Sequence, residues 1–533
     1  MSNLLDKSSI LLTPTAYNDG KILSVKPNTS VGDFDFTRNS SATRVNSQGL
    51  IEDMQILSGD LVTNGDFSNG ANNWSLGTGW SIGVGKVIGS SASGTLSQAG
   101  IASAGKQYKV TINITDYSSG TLYVDIGGSS AQTSTSNGLK TFYFTSTSTG
   151  SLRFYGGSFT GSIDNVLVIE ITDDTNLPRI DYTGGVGHWL FEPQSTNLIP
   201  YSEDLTQWAN ILYTLVESNS TISPDGSVNA DKLVAGATNG LQLRIAPLSL
   251  TSGNTYTFST YVKNSGGNYV ILYMNDTDSQ GIKVDLVNET FVTMGSSTNH
   301  FIKNFNNGWY QIGFTRAIDA NVSGLNAVPS LDGNNVSFLG DGVNGVYLWG
   351  TQVEENSFAT SIIPTEGAIK TRLQDAAFGA GSSDLINSTE GVLYAEIASF
   401  ISLDTVEPNR YITLTNGTSN ERVALLLGGN SNQLRAIIFS STQSINLSFT
   451  TSLTEVKQFN KLAIKYKSGD YAFFLNGIKI GGSTETNIFT ADTLNDLSFD
   501  VGGGTQKFRG KVKCAAVFKE AITDAELTCL TTI

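Results

Sequence analysis

Cleaving a glycosidic bond takes two carboxylates flanking it, one as acid and one as nucleophile or base. The acidic pairs Glu203-Asp204 and Glu354-Glu355 are adjacent, so on a strand they point to opposite faces and make poor catalytic couples. No E-x-D-x-x-E strand motif is present. A Ser-His-Asp triad is equally unsupported, because His188 and His300 are the only two histidines and no G-x-S-x-G elbow falls at a strand-to-helix turn. Gly83-Val-Gly85-Lys86 and Gly502-Gly-Gly504 imitate phosphate loops, but neither leads into an amphipathic helix whose N-terminus could hold an anion. Both read as β turns. The two cysteines, Cys514 and Cys529, form no disulfide framework or metal knuckle, and both are expected as buried thiols.

Binding a sugar needs less: an aromatic ring against the apolar face of the pyranose, and amide or carboxylate groups for its hydroxyls. Trp74, Trp80, Tyr117 and Tyr155 are the candidates for such a platform. For any one of them a place in the core is the stronger competing expectation. Trp208, Trp309 and Trp349 sit in alternating apolar runs or a domain-opening turn and read as core.

The elements that must carry these side chains follow from composition. At 533 residues the chain exceeds one hydrophobic core, so several domains are expected. Only 15% of residues are charged against 39% apolar. Ser, Thr, Asn and 56 Gly supply the remaining polarity, which suits a β-rich, turn-rich fold. The net charge of −15 argues against nucleic acid or an anionic bilayer as partner, since both demand clustered Lys and Arg. No apolar run approaches the length of a membrane helix, so no membrane insertion is expected. The opening MSNLLDKSSILL holds too short an apolar stretch for a secretory leader, and cytoplasmic synthesis is expected.

Strand grammar dominates. Lys461-Leu-Ala-Ile-Lys-Tyr-Lys467 alternates, with Leu462, Ile464 and Tyr466 on one face and the lysines on the other. Turns at Ser468-Gly-Asp470 and Asn476-Gly477 lead through Tyr471-Ala-Phe-Phe-Leu475 to Ile478-Lys-Ile480, a three-stranded meander. Two earlier stretches look like copies of one module. Tyr108–Thr115, a Ser118-Ser-Gly120 turn and Leu122–Ile126 align with Tyr256–Val262, Ser265-Gly-Gly267 and Tyr269–Tyr273. The opening turns with Trp74 and Trp208, and the closing strands Ser162–Val168 and Val346–Val353, also correspond. Helix is nearly absent, save about two turns after the capping box formed by Thr523 and Glu526. The expected fold is all-β: three β-sandwich modules in series, at 58–172, 196–365 and 388–533. They follow an irregular N-terminal segment, 1–57, and are joined by a connector, 173–195, and a linker, 366–387.

Phe36-Thr-Arg-Asn-Ser-Ser-Ala-Thr-Arg-Val-Asn46 with Gly49-Leu-Ile-Glu52, Pro178-Arg-Ile-Asp-Tyr182 and Leu190-Phe-Glu-Pro-Gln-Ser-Thr-Asn-Leu-Ile-Pro-Tyr-Ser-Glu203 form a signature. It resembles a phrase of bacteriophage tail and fibre structural proteins. Here its pieces are separated by a stretch that resembles a carbohydrate-binding-module jelly roll. The second module resembles the same family's β-sandwich through Tyr347–Glu354 and Ser361–Gly367. The third is similar to concanavalin/laminin-G-like lectin domains through Phe474-Leu-Asn-Gly477 and Phe508–Leu527. The resemblance implies a virion protein, a fibre or spike displaying modules that bind host-surface glycans, anchored to other virion proteins by the N-terminal segment. It also implies a homo-oligomer, with a trimer favoured although no heptad stalk enforces it. A purely structural head- or tail-decorating protein and a capsular polysaccharide depolymerase are the alternatives. Jelly rolls that open on an N-G-D-F-type turn and close on an I-D-N-V-type strand commonly tie their ends through a structural calcium ion. The matching residues here are Asn64, Asp66 and Asp164, whose oxygens suit that ion. The competing expectation is an Asx turn at Asn64 and Asp66, with Asp164 bonding backbone.

Overall fold

Two strands, Gln107–Ile126 and Gly150–Asp173, run antiparallel along most of their lengths and organise the smaller of two compact units, residues 55–174. Their inward residues alternate: Tyr108, Val110, Ile112 and Ile114, then Leu122, Val124 and Ile126, all buried in one core with Leu152, Phe154, Phe159, Ile163 and Val168. Where a turn is expected at Ser118-Ser-Gly120, the strand instead continues through bulges between Thr115 and Thr121. The bulges bend it so that its first half pairs with Gly138–Thr145 and its second with Gln132–Ser134. Gly120 is required at this corner. It has φ +81°, and a Cβ there would stand 2.2 Å from the Ser158 carbonyl oxygen.

The computed structural model describes residues 2–274, 280–318, 322–333, 335–400, 409–428, 433–450, 455–486 and 489–533. The larger unit comprises 1–54 and 175–533. Residues 196–365 form two six-stranded sheets. One runs Thr214–Ile222, Val228–Ala235, Gly345–Glu354, Thr255–Ser265, Trp309–Ala317, Thr298–Asn304; the other is centred on Gly324–Val328 and Tyr269–Met274. Phe258, Val262, Leu272, Ile312, Phe314 and Leu348 fill the space between them. The internal likeness of the two jelly rolls extends to a shared detail. Tyr108 Oη accepts the Ser103 N–H at 2.8 Å, and Tyr256 Oη accepts the Thr251 N–H at 3.1 Å, each from five residues upstream.

The lectin-like sandwich has an eight-stranded and a five-stranded sheet over a shared core. The meander is present as Asn460–Lys467, Tyr471–Leu475 and Ile478–Ser483, with Asn476 and Gly477 both at positive φ, as an I′-type turn demands. The terminal helix Asp524–Thr531 carries the Thr523/Glu526 capping box. Its arrival changes the lysine face of the meander: Lys465 is 4% exposed and pairs with Asp524 at 2.6 Å. Cys514 is buried, whereas Cys529 is exposed, contrary to the expectation for both.

The N-terminal segment, expected as irregular, contributes strands to sheets with distant parts of the chain. Ile10–Leu12 pairs with Gly510–Phe518, Phe34–Thr37 pairs with Ala376–Phe378, and His188–Phe191 extends the eight-stranded sheet. Ile10, Leu12, Ile22, Phe34, Phe36, Trp189 and Phe191 are buried in the lectin-like core. Parts of the segment, connector and linker therefore belong to that sandwich, while Ile51 packs with Tyr261, Trp309 and Trp349, and Ser195–Asn197 pairs with Lys370–Arg372 in a sheet of its own. Their apolar residues are spaced for strands too short to register as a domain.

Candidate functional site

On the strands of the smaller unit, residues that alternate with the core point outward. Thr95, Tyr155, Tyr123 and Thr133 lie opposite one another across four strands, and Ser97, Arg153 and Asp125 form the adjacent row. The tyrosine rings of Tyr123 and Tyr155 stack at 5.2 Å between centroids with planes 4° apart, and both side chains are half-buried. Thr95 and Thr133 flank the pair on either side in the register, and both are exposed. Gly157 keeps space beside it, since a Cβ there would lie 3.1 Å from Tyr123 Cε2.

The next row is polar. Arg153 Nε and Nη2 donate to Asp125 Oδ1 and Oδ2 at 2.7 and 2.8 Å, a bidentate pair. Asp125 is buried, and Arg153 keeps 48% of its side chain exposed. Hydrogen bonding to Asp125 raises the Arg153 pKa, and partial burial raises that of Tyr155. The pair fixes the guanidinium plane beside the ring stack and leaves Nη1 for a ligand hydroxyl. Aromatic faces next to an oriented donor and the Ser97, Thr95 and Thr133 hydroxyls are what a sugar ring requires.

The four aromatics proposed from the sequence do not converge. Trp74 and Trp80 are 6% and 7% exposed and belong to the core, not to a sugar platform. Trp74 packs on Phe67 and Phe154, Trp80 stacks on Phe159, and their indole N–H groups donate to the carbonyls of Asn64 and Gly94. Tyr117 lies over Phe159 at the bulged corner and donates to the Gly120 carbonyl at 2.9 Å. Tyr155 stands on the outer face, with Tyr123 as partner. Tyr123 is missing from the sequence-based set, although its outward parity in Leu122-Tyr-Val-Asp-Ile126 was legible. Trp208, Trp309 and Trp349 are core residues, as expected.

Asn64, Asp66 and Asp164 each carry local hydrogen bonds in this arrangement. Asn64 Oδ1 accepts the Asn69 N–H, and its Nδ2 donates to the carbonyls of Gly70 and Asn72. Asp66 Oδ1 accepts from the Ser68 N–H and hydroxyl, which with its own backbone holds its pKa down, and Asp164 Oδ1 accepts from the Asn165 N–H. The module's two ends are tied by backbone bonds: Val166 N–H to the Gly65 carbonyl and Leu61 N–H to the Val168 carbonyl. No cluster of three His, Cys, Asp or Glu that could hold a metal occurs among the described residues.

The acidic pairs serve structure too. Glu354 accepts from Ser195, Gln352 and Thr360, and Asp204 caps a 3₁₀ turn through the Thr206 N–H. The signature residues meet in one buried network of the larger unit. Asp375 binds Arg38 and Arg179, and Glu192 lies between Arg179 at 2.7 Å and Arg372 at 3.0 Å. Burial would raise the Glu192 pKa, but Arg372, Arg179 and Ser361 overcome it and hold it down at about 2.

Residues 397–528 match the Concanavalin A-like lectin/glucanases superfamily. No curated protein matches the chain. Among solved structures, a CBM40 of the Ruminococcus gnavus IT-sialidase is similar at 17% identity and TM-score 0.24, over 29% of this chain and 87% of that one. Domain 4 of AbnA, a GH43 arabinanase from Geobacillus stearothermophilus, is similar at 14% identity and TM-score 0.25, over 30% and 73%. Domains LG4-5 of the mouse laminin alpha1 chain are similar at 9% identity and TM-score 0.18, over 54% and 92%. The chain is an all-β protein of several β-sandwich modules, and its match to the concanavalin A-like lectin/glucanases superfamily lies in residues 397–528.

Proposed function

We propose that the protein is a glycan-binding structural component displayed on a phage virion, and that Tyr123, Tyr155 and Arg153 form a sugar-contacting face in its first module. The stacked tyrosine pair, half-exposed beside the oriented Arg153–Asp125 pair, carries this reading. One ring stack and one donor support weak binding, and many copies on one particle convert weak sites into firm attachment. The virion setting rests on the resemblance of the signature residues.

The test begins with the full chain on a host-surface glycan array, followed by titration of a retained glycan against Tyr155→Ala and Tyr123→Ala. Each substitution is expected to weaken binding by about tenfold, equivalent to about 1.4 kcal/mol. Unchanged affinity in both variants would remove this face from the reading. Imaging purified particles tests the setting: projecting density of this chain supports adhesion, and density packed flat into the shell or tail wall supports a decorating role. Release of reducing sugar from host capsule would instead make it a depolymerase.

A further inference from the structure

In the larger unit a cleft of about 140 Å³ lies where the second jelly roll meets the lectin-like sandwich. One wall is a row across the jelly roll's outer sheet face, in which Lys303 lies opposite Gln311 and Gln311 opposite Tyr261. The Tyr261 ring meets Phe305 edge-on, with centroids 5.3 Å apart. The other wall includes Lys511, carried on the lectin-like strand that pairs with Leu190. Exposed Lys303 and Asn304 mark the mouth.

Charge sets this cleft apart. Lys303 lies 4.6 Å from the centroid of the Phe301 ring. Neither its ammonium nor that of Lys511 has a hydrogen-bond or ion-pair partner among the described residues. The carboxylates lining the same space are engaged. Asp181 accepts the backbone N–H groups of Val45 and Thr183, both at 2.8 Å, and Glu192 is held by Arg179, Arg372 and Ser361. Although much of the Lys303 side chain is exposed, surrounding protein and the like charges of Lys511 and Lys457 push its pKa down to about 8. Burial likewise lowers that of Lys511, against the pull of Asp181 and Glu192. Among the described residues Lys303 has no acidic neighbour, while Lys511 beside it faces Asp181 and Glu192; in a chain of net charge −15, an anion from outside stabilises Lys303.

We infer that this cleft is a second binding site, which takes one carboxylate-bearing sugar residue, a hexuronic acid unit of an acidic polysaccharide. Lys303 and Lys511 hold its carboxylate, the Phe305 ring, backed by buried Tyr261, faces its apolar side, and Gln311 meets its hydroxyls. The volume falls well below the roughly 300–1,000 Å³ of sites for drug-sized ligands, so it suits one ring and not an oligosaccharide. The aromatic wall selects a sugar over a bare anion. This site is independent of the tyrosine face in the first module.

Calorimetric titration of the full chain with sodium glucuronate, methyl glucoside and acetate tests the inference. Glucuronate is expected to bind at millimolar strength, more tightly than either other probe and more weakly as salt is raised. Lys303→Gln, an exposed position whose variant should keep the parent's melting temperature, is expected to weaken it by about tenfold, as is Lys511→Gln. The Tyr123→Ala/Tyr155→Ala double variant should bind glucuronate as the parent does. Absence of glucuronate binding, or parental affinity in both lysine variants, would overturn the site. Acetate binding equal to glucuronate would overturn the sugar assignment, and loss in the tyrosine variant would move the binding to the first module.

Discussion

Tyr155 and Phe154 are neighbours on one strand, yet one stacks on Tyr123 at the surface and the other supports Trp74 in the core. Parity along the strand separates their roles, and side-chain type does not. Glu203 shows the same dependence on surroundings. Burial, followed by the charges of Asp225, Asp53 and Glu366, raises its pKa from 4.5 to about 8. Its folded value lies above its unfolded one, so between those limits the folded chain holds a proton that the unfolded chain has released. Stability from this group is therefore lost as pH rises through that window. Glu203→Gln is expected to flatten the decline and, at the alkaline end, to exceed the parent by about 1–2 kcal/mol, read from urea melts across pH. A parallel decline in both proteins would show that Glu203 titrates normally. His188 has the opposite sign. It is 1% exposed, and burial pushes its pKa down to about 4, so the stability tied to its neutral form is lost as pH falls from 6.5 toward that value.

Among elements, the recurring signature has a physical use. Arg38, Arg179, Glu192, Arg372 and Asp375 come from four separate stretches and lie within one dry network, each at most 3% exposed. Breaking such a network from one side leaves charges buried without partners, which costs far more than the intact pairs contribute. Asp375→Ala removes the acceptor shared by Arg38, Arg179 and the Glu192 N–H. The expected loss is about 3–5 kcal/mol, seen as an earlier denaturation midpoint of the larger unit. A loss below about 1 kcal/mol, the range of surface pairs, would mean that water reaches the network. Arg38, Arg179 and Glu192 of the signature thus hold strands together inside this unit.

For the whole molecule, the N-terminal segment matters most to the account of the fold. Ile10, Leu12, Ile22, Phe34 and Phe36 are each 2% exposed or less, in the lectin-like core. A chain lacking residues 2–37 is expected to lose cooperative unfolding of the larger unit, while the smaller unit, with a core of its own, keeps its transition. Calorimetry resolves the two, and two intact transitions would restore the segment as a separable anchor. What the sequence alone determined is what short-range rules reach: the all-β class, the Asn476-Gly477 hairpin, the Thr523/Glu526 helix start and the duplicated jelly-roll grammar. Each depends on residues a few positions apart, where backbone conformation and alternation decide. Tertiary structure alone decided which outward aromatics stay uncovered, that Tyr123 partners Tyr155, that the N-terminal strands complete a sandwich 500 residues away, and that Lys303 and Lys511 share a cleft. Those outcomes depend on which strands pair across the chain, because a face is buried or open only once its distant partner has arrived.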